Sequence, residues 1–166
     1  MTLERLVDDE RSTEVDAETN LFRAIYPQLR RLAAAIGPEE VEPDDLVQEA
    51  VERAIRRQPL TDLVNPAAYL SRTIVNLAAN QRRSFARARR ANAQLHESVT
   101  QPAYPSDLND LMRLPAKQRA MLYLRDVEGC SYSEIAERLG MQERAVARAT
   151  QRARHQLGKE LREEMT

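Results

Sequence analysis

The sequence predicts an all-α protein made of two small helical domains joined by a linker, the C-terminal one a helix-turn-helix. Three observations carry that fold class. Aromatic residues make up 4% of the 166 residues and charged residues 31%, with four Gly and no Trp, a composition that favours helices over sheets. Apolar residues recur at three- and four-residue steps through the long segments, the period of a helix with one buried face. The stretch Ser131 to Leu157, SYSEIAERLGMQERAVARATQRARHQL, has the spacing of two helices joined by a glycine turn.

Taken in order, residues 1–18 carry seven acids against two Arg and few large apolar side chains, and are expected to form an acidic disordered tail. The first helical domain is expected over 19–95. In its first helix Phe22, Ile25, Leu29, Leu32 and Ile36 keep helical spacing. Pro27 is expected to kink its first turns or mark where regular helix begins, and Gly37-Pro38 to end it. A second helix is expected from Pro43, suited to a first helical position, to about Arg57. Seven acids fall between Glu39 and Glu52, and no base comes before Arg53. Val47, Ala50, Val51 and Ala54 form its buried face, while Asp45, Gln48, Glu49 and Glu52 align on another. Two readings stay open: the early acids and the late Arg53, Arg56 and Arg57 complement the helix dipole, or the acidic face docks on a basic partner.

A loop from Gln58 to Asn65 follows, and Asn65-Pro66 is a cap and first-position signal for a long helix. From Leu63 to His96 there is no Asp or Glu, yet there are six Arg. Leu70, Ile74, Leu77 and Phe85 define its inner face, and nearly opposite lie Arg72, Asn76, Asn80, Arg83 and Arg87. Arg supplies phosphate contacts and Asn hydrogen-bonds base edges, so this stripe suits nucleic acid. Tyr69 and Phe85 are read as core residues rather than stacking platforms.

Residues 96–107, HESVTQPAYPSD, hold two Pro and no helical period and read as the linker; the second domain is expected over 108–166. There Leu108 to Leu114 gives a short helix, Pro115 opens another through Val127, and Glu128-Gly129 turns the chain. Ser131 and Glu134 form a capping box that starts a helix near Tyr132, with Ile135, Ala136 and Leu139 on its apolar face. Gly140 takes a left-handed turn, and Val146 plugs the second helix onto the first. That second helix buries Val146, Ala149, Ala153 and Leu157 and leaves Arg144, Arg148, Arg152 and Arg154 on its flanks and outer face, with no acid between Glu143 and Glu160. Such a helix suits the major groove; a helical hairpin with a solvated Arg-rich skin is the alternative.

The net charge of −1 averages over these opposed blocks. No apolar run reaches membrane-span length and no charged-then-apolar leader is present, so a cytoplasmic protein is expected. Cys130 is the only Cys, and His96 and His155 lie far apart, so neither an internal disulfide nor a zinc site is expected, and no cofactor. Cys130 reads as an apolar filler beside a turn, with an oxidant-sensing thiol as the alternative. No carboxylate pair, nucleophile with a base or phosphate loop stands at usable spacing, so no enzyme is expected.

The strings DDLVQEAVERAIRR, NPAAYLSRTIVNLAANQRR and LPAKQRAMLYLRDVEGCSYSEIAERLGMQERAVARATQRARHQL resemble, in that order, the second and fourth conserved regions of sigma-70 family sigma factors of the extracytoplasmic-function (ECF) group. The resemblance implies a bacterial initiation factor that binds core RNA polymerase, recognises the minus-35 promoter element as duplex and captures the minus-ten element as melted strand. It leaves room for an anti-sigma factor as regulator. Carried over, Asp45, Leu46, Gln48 and Glu49 match the contact to the polymerase clamp, and Arg72, Asn76, Asn80 and Arg83 the minus-ten helix. The loop Gln58 to Asn65 matches the one that cups a flipped base, and Arg144, Arg148 and Arg152 the DNA-facing part of the recognition helix. The chain departs from the family's common Thr-Val-Lys-Ser-Arg-Leu with Ala145, Val146, Ala147, Arg148, Ala149 and Thr150, so two common cationic positions are Ala and an apolar one is Thr. Asn80 stands where Asp is frequent and Tyr69 where Trp is frequent. The family's housekeeping members open DNA with paired aromatic wedges and this chain has no Trp, so melting is expected to depend more on capture of a flipped base by the loop.

Two other function classes fit parts of the sequence. A stand-alone helix-turn-helix regulator has no need of a second basic helix beside an acidic one. An interaction decoy or anti-factor partner keeps the acidic face and loses DNA affinity, in line with the Ala substitutions in the recognition helix.

Overall fold

The computed structural model describes residues 3–95 and 113–164, which are helical throughout apart from turns, with no strand among them. The helices are α1 (Leu3–Ile36), α2 (Pro43–Ile55), α3 (Pro66–Leu95), α4 (Ala116–Leu122), α5 (Tyr132–Leu139) and α6 (Glu143–Glu164). A 3₁₀ turn, Leu60–Asp62, lies between α2 and α3, and a π-helical turn, Tyr123–Val127, extends α4. The expected linker and residues 108–112 of the expected short helix Leu108 to Leu114 lie outside the described residues.

The starts follow the local chemistry. Pro43 occupies the first position of α2. The Asn65 side-chain oxygen accepts from the Ala68 amide at 2.9 Å, which satisfies a donor that α3 leaves open. The α5 capping box is complete, with Ser131 Oγ accepting from the Glu134 amide at 3.2 Å and Glu134 Oε2 from the Ser131 amide at 2.6 Å. Gly140 ends α5 at φ 62°, where a side chain would be strained.

Two expectations give way. The acidic segment expected to be disordered is helical from Leu3 onward as the first part of α1. Neither Gly nor Pro interrupts it before Pro27, and acids are favoured near the positive end of a helix. Pro27 does not mark where regular helix begins: it sits inside α1 on its exposed side, where water can satisfy the Arg23 carbonyl that loses its donor.

The two parts of the chain share one core. Leu29, Leu32 and Ile36 of α1, Leu46, Val47 and Ala50 of α2 and Leu70, Ile74 and Leu77 of α3 are buried in the same cluster as Met121, Leu124, Ile135 and Val146. Polar contacts also cross the junction. Arg119, 1% exposed, donates to the carbonyl of Ile36, the last residue of α1, and Arg82 donates to the Leu114 carbonyl. Arg138 reaches Gln28 at 2.7 Å, and Asn65 reaches Glu137 at 3.0 Å. Burial lowers the Arg119 guanidinium to about pKa 10, with nearby Arg82 adding to the effect. It stays protonated at neutral pH, and the negative end of α1 receives the charge.

Candidate polymerase and nucleic-acid interface

α2 is held by its inner face and by Asp44. Tyr26 donates to Asp44 at 2.5 Å and Arg30 Nε at 3.1 Å, both from α1. The Tyr26 hydrogen bond, helped by Arg30, holds the Asp44 carboxyl below the usual range. With Asp44 turned towards α1 at the surface, Asp45 and Gln48 are exposed on the neighbouring face, and Gln48 donates to Glu52 at 3.1 Å. Glu49 is half-buried and pairs with Arg53 at 2.6 Å, as Glu52 does with Arg56 at 3.5 Å. Leu46, which the resemblance placed with Asp45 in the polymerase contact, is instead fully buried and packs in the core. Its adjacency in sequence misleads because one residue is about 100° around a helix.

On α3 the stripe stands as the periodicity requires. Arg72, Asn76, Asn80, Arg83 and Arg87 are all exposed, while Leu70, Ile74 and Leu77 are buried. Arg83 donates to Asn80 at 2.5 Å, so these two present a joined amide and guanidinium. Arg72 rests against the helix-turn-helix turn: a Cβ on Gly140 would lie 2.6 Å from one of its guanidinium nitrogens. Beside the stripe, α2 and α3 enclose a cleft of about 370 Å³ lined by Arg53, Arg56, Arg57, Tyr69, Thr73 and Asn76. Sequence reasoning missed it, because it assigned the three Arg to the dipole of α2 and Tyr69 to the core. Tyr69 is half-buried, packing on the core while it lines the cleft. Only the packing of α2 on α3 brings these residues together.

In the helix-turn-helix, Val146 and Ala153 are fully buried on the inner face of α6, with Thr150 between them. Arg144, Arg148 and Arg152, four residues apart, are exposed on the outer face. Arg154, grouped with them in the sequence, is corrected by its surroundings. It lies two residues, about 200°, beyond Arg152. Its guanidinium pairs with Asp126 of the π-helical turn, with Nε to Oδ2 at 3.4 Å, so it fastens α6 to the preceding element. Arg125 stacks 4.7 Å from the Tyr132 ring centre and donates to the Cys130 carbonyl at 2.9 Å, which fixes the start of α5. Burial raises the Cys130 thiol above its ordinary pKa, with Arg138 opposing, so it is protonated at neutral pH, as suits a filler.

A helix-turn-helix with a cationic outer face, joined to a second helical unit with its own cation-and-amide stripe and an acidic face, is the architecture of a transcription factor. The sigma-70 region 2 model matches residues 21–91 and the sigma-70 region 4 model matches residues 111–157. The chain is 32% identical over 152 residues to the RNA polymerase sigma-E factor of Streptomyces antibioticus, covering 85% of this chain and 82% of that one. It is 32% identical over 144 residues to the sigma-E factor of Streptomyces avermitilis, covering 80% and 78%. A solved structure of the same fold is the sigma factor RpoE in co-crystal with the anti-sigma factor NepR from Bartonella quintana, with TM-score 0.63 and 24% identity over 87% of this chain and 96% of that one. The chain belongs to the sigma-70 family, in its extracytoplasmic-function group. It is a transcription initiation factor whose partners are core RNA polymerase and promoter DNA, which replaces the stand-alone regulator as an alternative. Among the described residues, no helix is long and apolar enough to cross a membrane.

Proposed function

We propose that three surfaces divide the work of initiation. Asp45, Gln48 and Glu49 on α2 dock on a basic coiled-coil surface of the polymerase. Arg72, Asn76, Asn80, Arg83 and Arg87 on α3, with the adjoining cleft and the loop Gln58 to Asn65, take the minus-ten element as melted strand. Arg144, Arg148 and Arg152 on α6 read the minus-35 element as duplex. The observation that carries this reading is the outward placement of these polar groups, all exposed but the half-buried Glu49, on three helices whose opposite faces form one core. Arg supplies charge to phosphates, and Asn offers paired donor and acceptor to a base edge. The cleft, with three Arg beside an aromatic ring, has the mixture that single strands are held by.

The factor contributes no catalytic group; the polymerase supplies the chemistry, and the site of action is the cytoplasm. An anti-sigma factor is a further partner, supported by the neighbour's complex with NepR. Two regions, 19–95 and 108–166, joined through 96–107 and packed on a shared core, account for the two promoter elements. The test is run-off transcription with purified core polymerase on a promoter library. Transcripts from a subset sharing one minus-35 and one minus-ten sequence support the reading, and factor-independent or unselective transcription contradicts it.

A further inference from the structure

The loop after α2 is held at both ends and open between them. Leu60 is 1% exposed, and its N–H begins the 3₁₀ turn Leu60–Asp62, where Pro59 gives no side-chain cap. That donor is met from far away in the chain. Glu18 Oε1 on α1 accepts it at 2.7 Å, in a partly buried setting. The turn then closes on itself, with the Asp62 amide donating to Pro59 at 3.2 Å and the Leu63 amide to Leu60 at 3.2 Å. At the other end Asn65 caps α3. Between the pins Thr61, Asp62 and Val64 are exposed, Val64 completely.

We infer that Glu18 is a positioning residue for this loop: its carboxylate grips the Leu60 backbone and so sets the geometry with which Thr61, Asp62 and Val64 meet a base of the minus-ten strand. The inference rests on the proposed role of the loop and goes beyond it, because Glu18 precedes the residues that match sigma-70 region 2, which begin at 21. A carboxylate accepting a backbone N–H makes a strong bond in a fixed direction. It holds the main chain whatever side chains the loop carries. The frame and the base preference are thereby separated: α1 supplies the first and the exposed tip the second. A base flipped from its stack is discriminated by contacts that tolerate little displacement, so a loosened frame costs selectivity before it costs binding.

The experiment is run-off transcription with core polymerase on promoter pairs differing at single minus-ten positions, using the full chain with Glu18→Ala, Glu18→Asp or Glu18→Gln, and a loop variant with Thr61, Asp62 and Val64 replaced by Ala. Glu18→Ala is expected to lower discrimination at one position by about 5-fold, the effect of losing one hydrogen bond. Glu18→Asp keeps the charge but is one methylene short and should behave as Glu18→Ala. Glu18→Gln keeps an acceptor oxygen and should restore most of the selectivity. In all three, preference for the minus-35 duplex should be unchanged. Amide exchange should accelerate at Leu60 in the Ala and Asp variants, a readout free of transcription. If the loop variant loses selectivity while Glu18→Ala and Glu18→Asp retain it, Glu18 has no positioning role. If the loop variant itself keeps wild-type selectivity, the proposed base-reading role of the loop fails, and the inference with it. Should Glu18→Ala fail to fold, the Asp and Gln pair decides the matter.

Discussion

Thr150 is fully buried on the inner face of α6, and its hydroxyl has no hydrogen-bond partner. Replacing it with Val removes that hydroxyl and keeps both the volume and the branch at Cβ. Helix propensities of Thr and Val are nearly equal, so the backbone is neutral in the exchange. What changes is the burial of an unmet polar group, which costs about 1–3 kcal/mol in proteins. Thr150→Val is therefore expected to stabilise the protein by about 1 kcal/mol, the low end because a helical hydroxyl can rotate towards the preceding turn. For a chain of this size that corresponds to a rise of about 2–4 °C in melting temperature. Thr150→Ala removes the same hydroxyl but also a buried methyl group, and should fall below Val and close to or below wild type. Urea unfolding followed by circular dichroism at 222 nm ranks the three. Promoter selectivity should not move, since Thr150 faces away from Arg144, Arg148 and Arg152. A Val variant less stable than wild type would show that the hydroxyl is paired in solution.

Other perturbations test the remaining elements. Arg148→Ala should weaken minus-35 duplex binding by about 1–3 kcal/mol and relax preference at one position if the guanidinium reads a base, whereas a uniform loss across sequences, measured by competition binding, marks a phosphate contact. Arg119→Met gives up a charge-assisted bond to Ile36, about 1.5–3 kcal/mol, but also relieves a burial cost of similar size, so its net effect in urea unfolding should be below about 2 kcal/mol. A much larger loss would mean that the guanidinium itself stabilises the junction. Cys130, with its thiol raised by burial, should alkylate slowly at pH 7.5, and the rate should climb only as pH rises through a value above that of an ordinary thiol; rapid labelling at neutral pH would reopen a sensing role.

What the sequence made legible was local. Pro43, Asn65, the Ser131 and Glu134 box and Gly140 declare helix boundaries through chemistry within four residues, and each stands in the structure where it was read. The α3 stripe was equally readable, because side-chain direction on a helix follows from spacing. The misreadings needed partners distant in the chain. Leu46 stands with Asp45 in the polymerase contact by resemblance until the core covers it, and Arg154 looks like a DNA contact until Asp126 lies beside it. Arg119 and Arg138 gave no sign that they bridge to Ile36 and Gln28. The helical state of the acidic N-terminal segment was hidden because its composition resembles that of disordered chains, and Glu18 finds its partner 42 residues away. The cleft, too, exists only once α2 lies against α3.

The central claim is that the exposed acidic face of α2 docks the factor on the polymerase, and the most direct measurement is core-polymerase binding by the double variant Asp45→Arg, Glu49→Arg. Neither side chain belongs to the buried face, and the fold loses little beyond the Glu49–Arg53 pair, about 0.3–0.5 kcal/mol for a helical surface pair. Against a basic partner surface the same change turns attraction into repulsion and costs several kcal/mol at a close interface. The variant should keep its helical circular dichroism and the DNA affinity of the free wild-type chain, yet neither co-purify with core polymerase nor support run-off transcription. Near wild-type affinity for the core enzyme in a folded variant would contradict the assignment of this face.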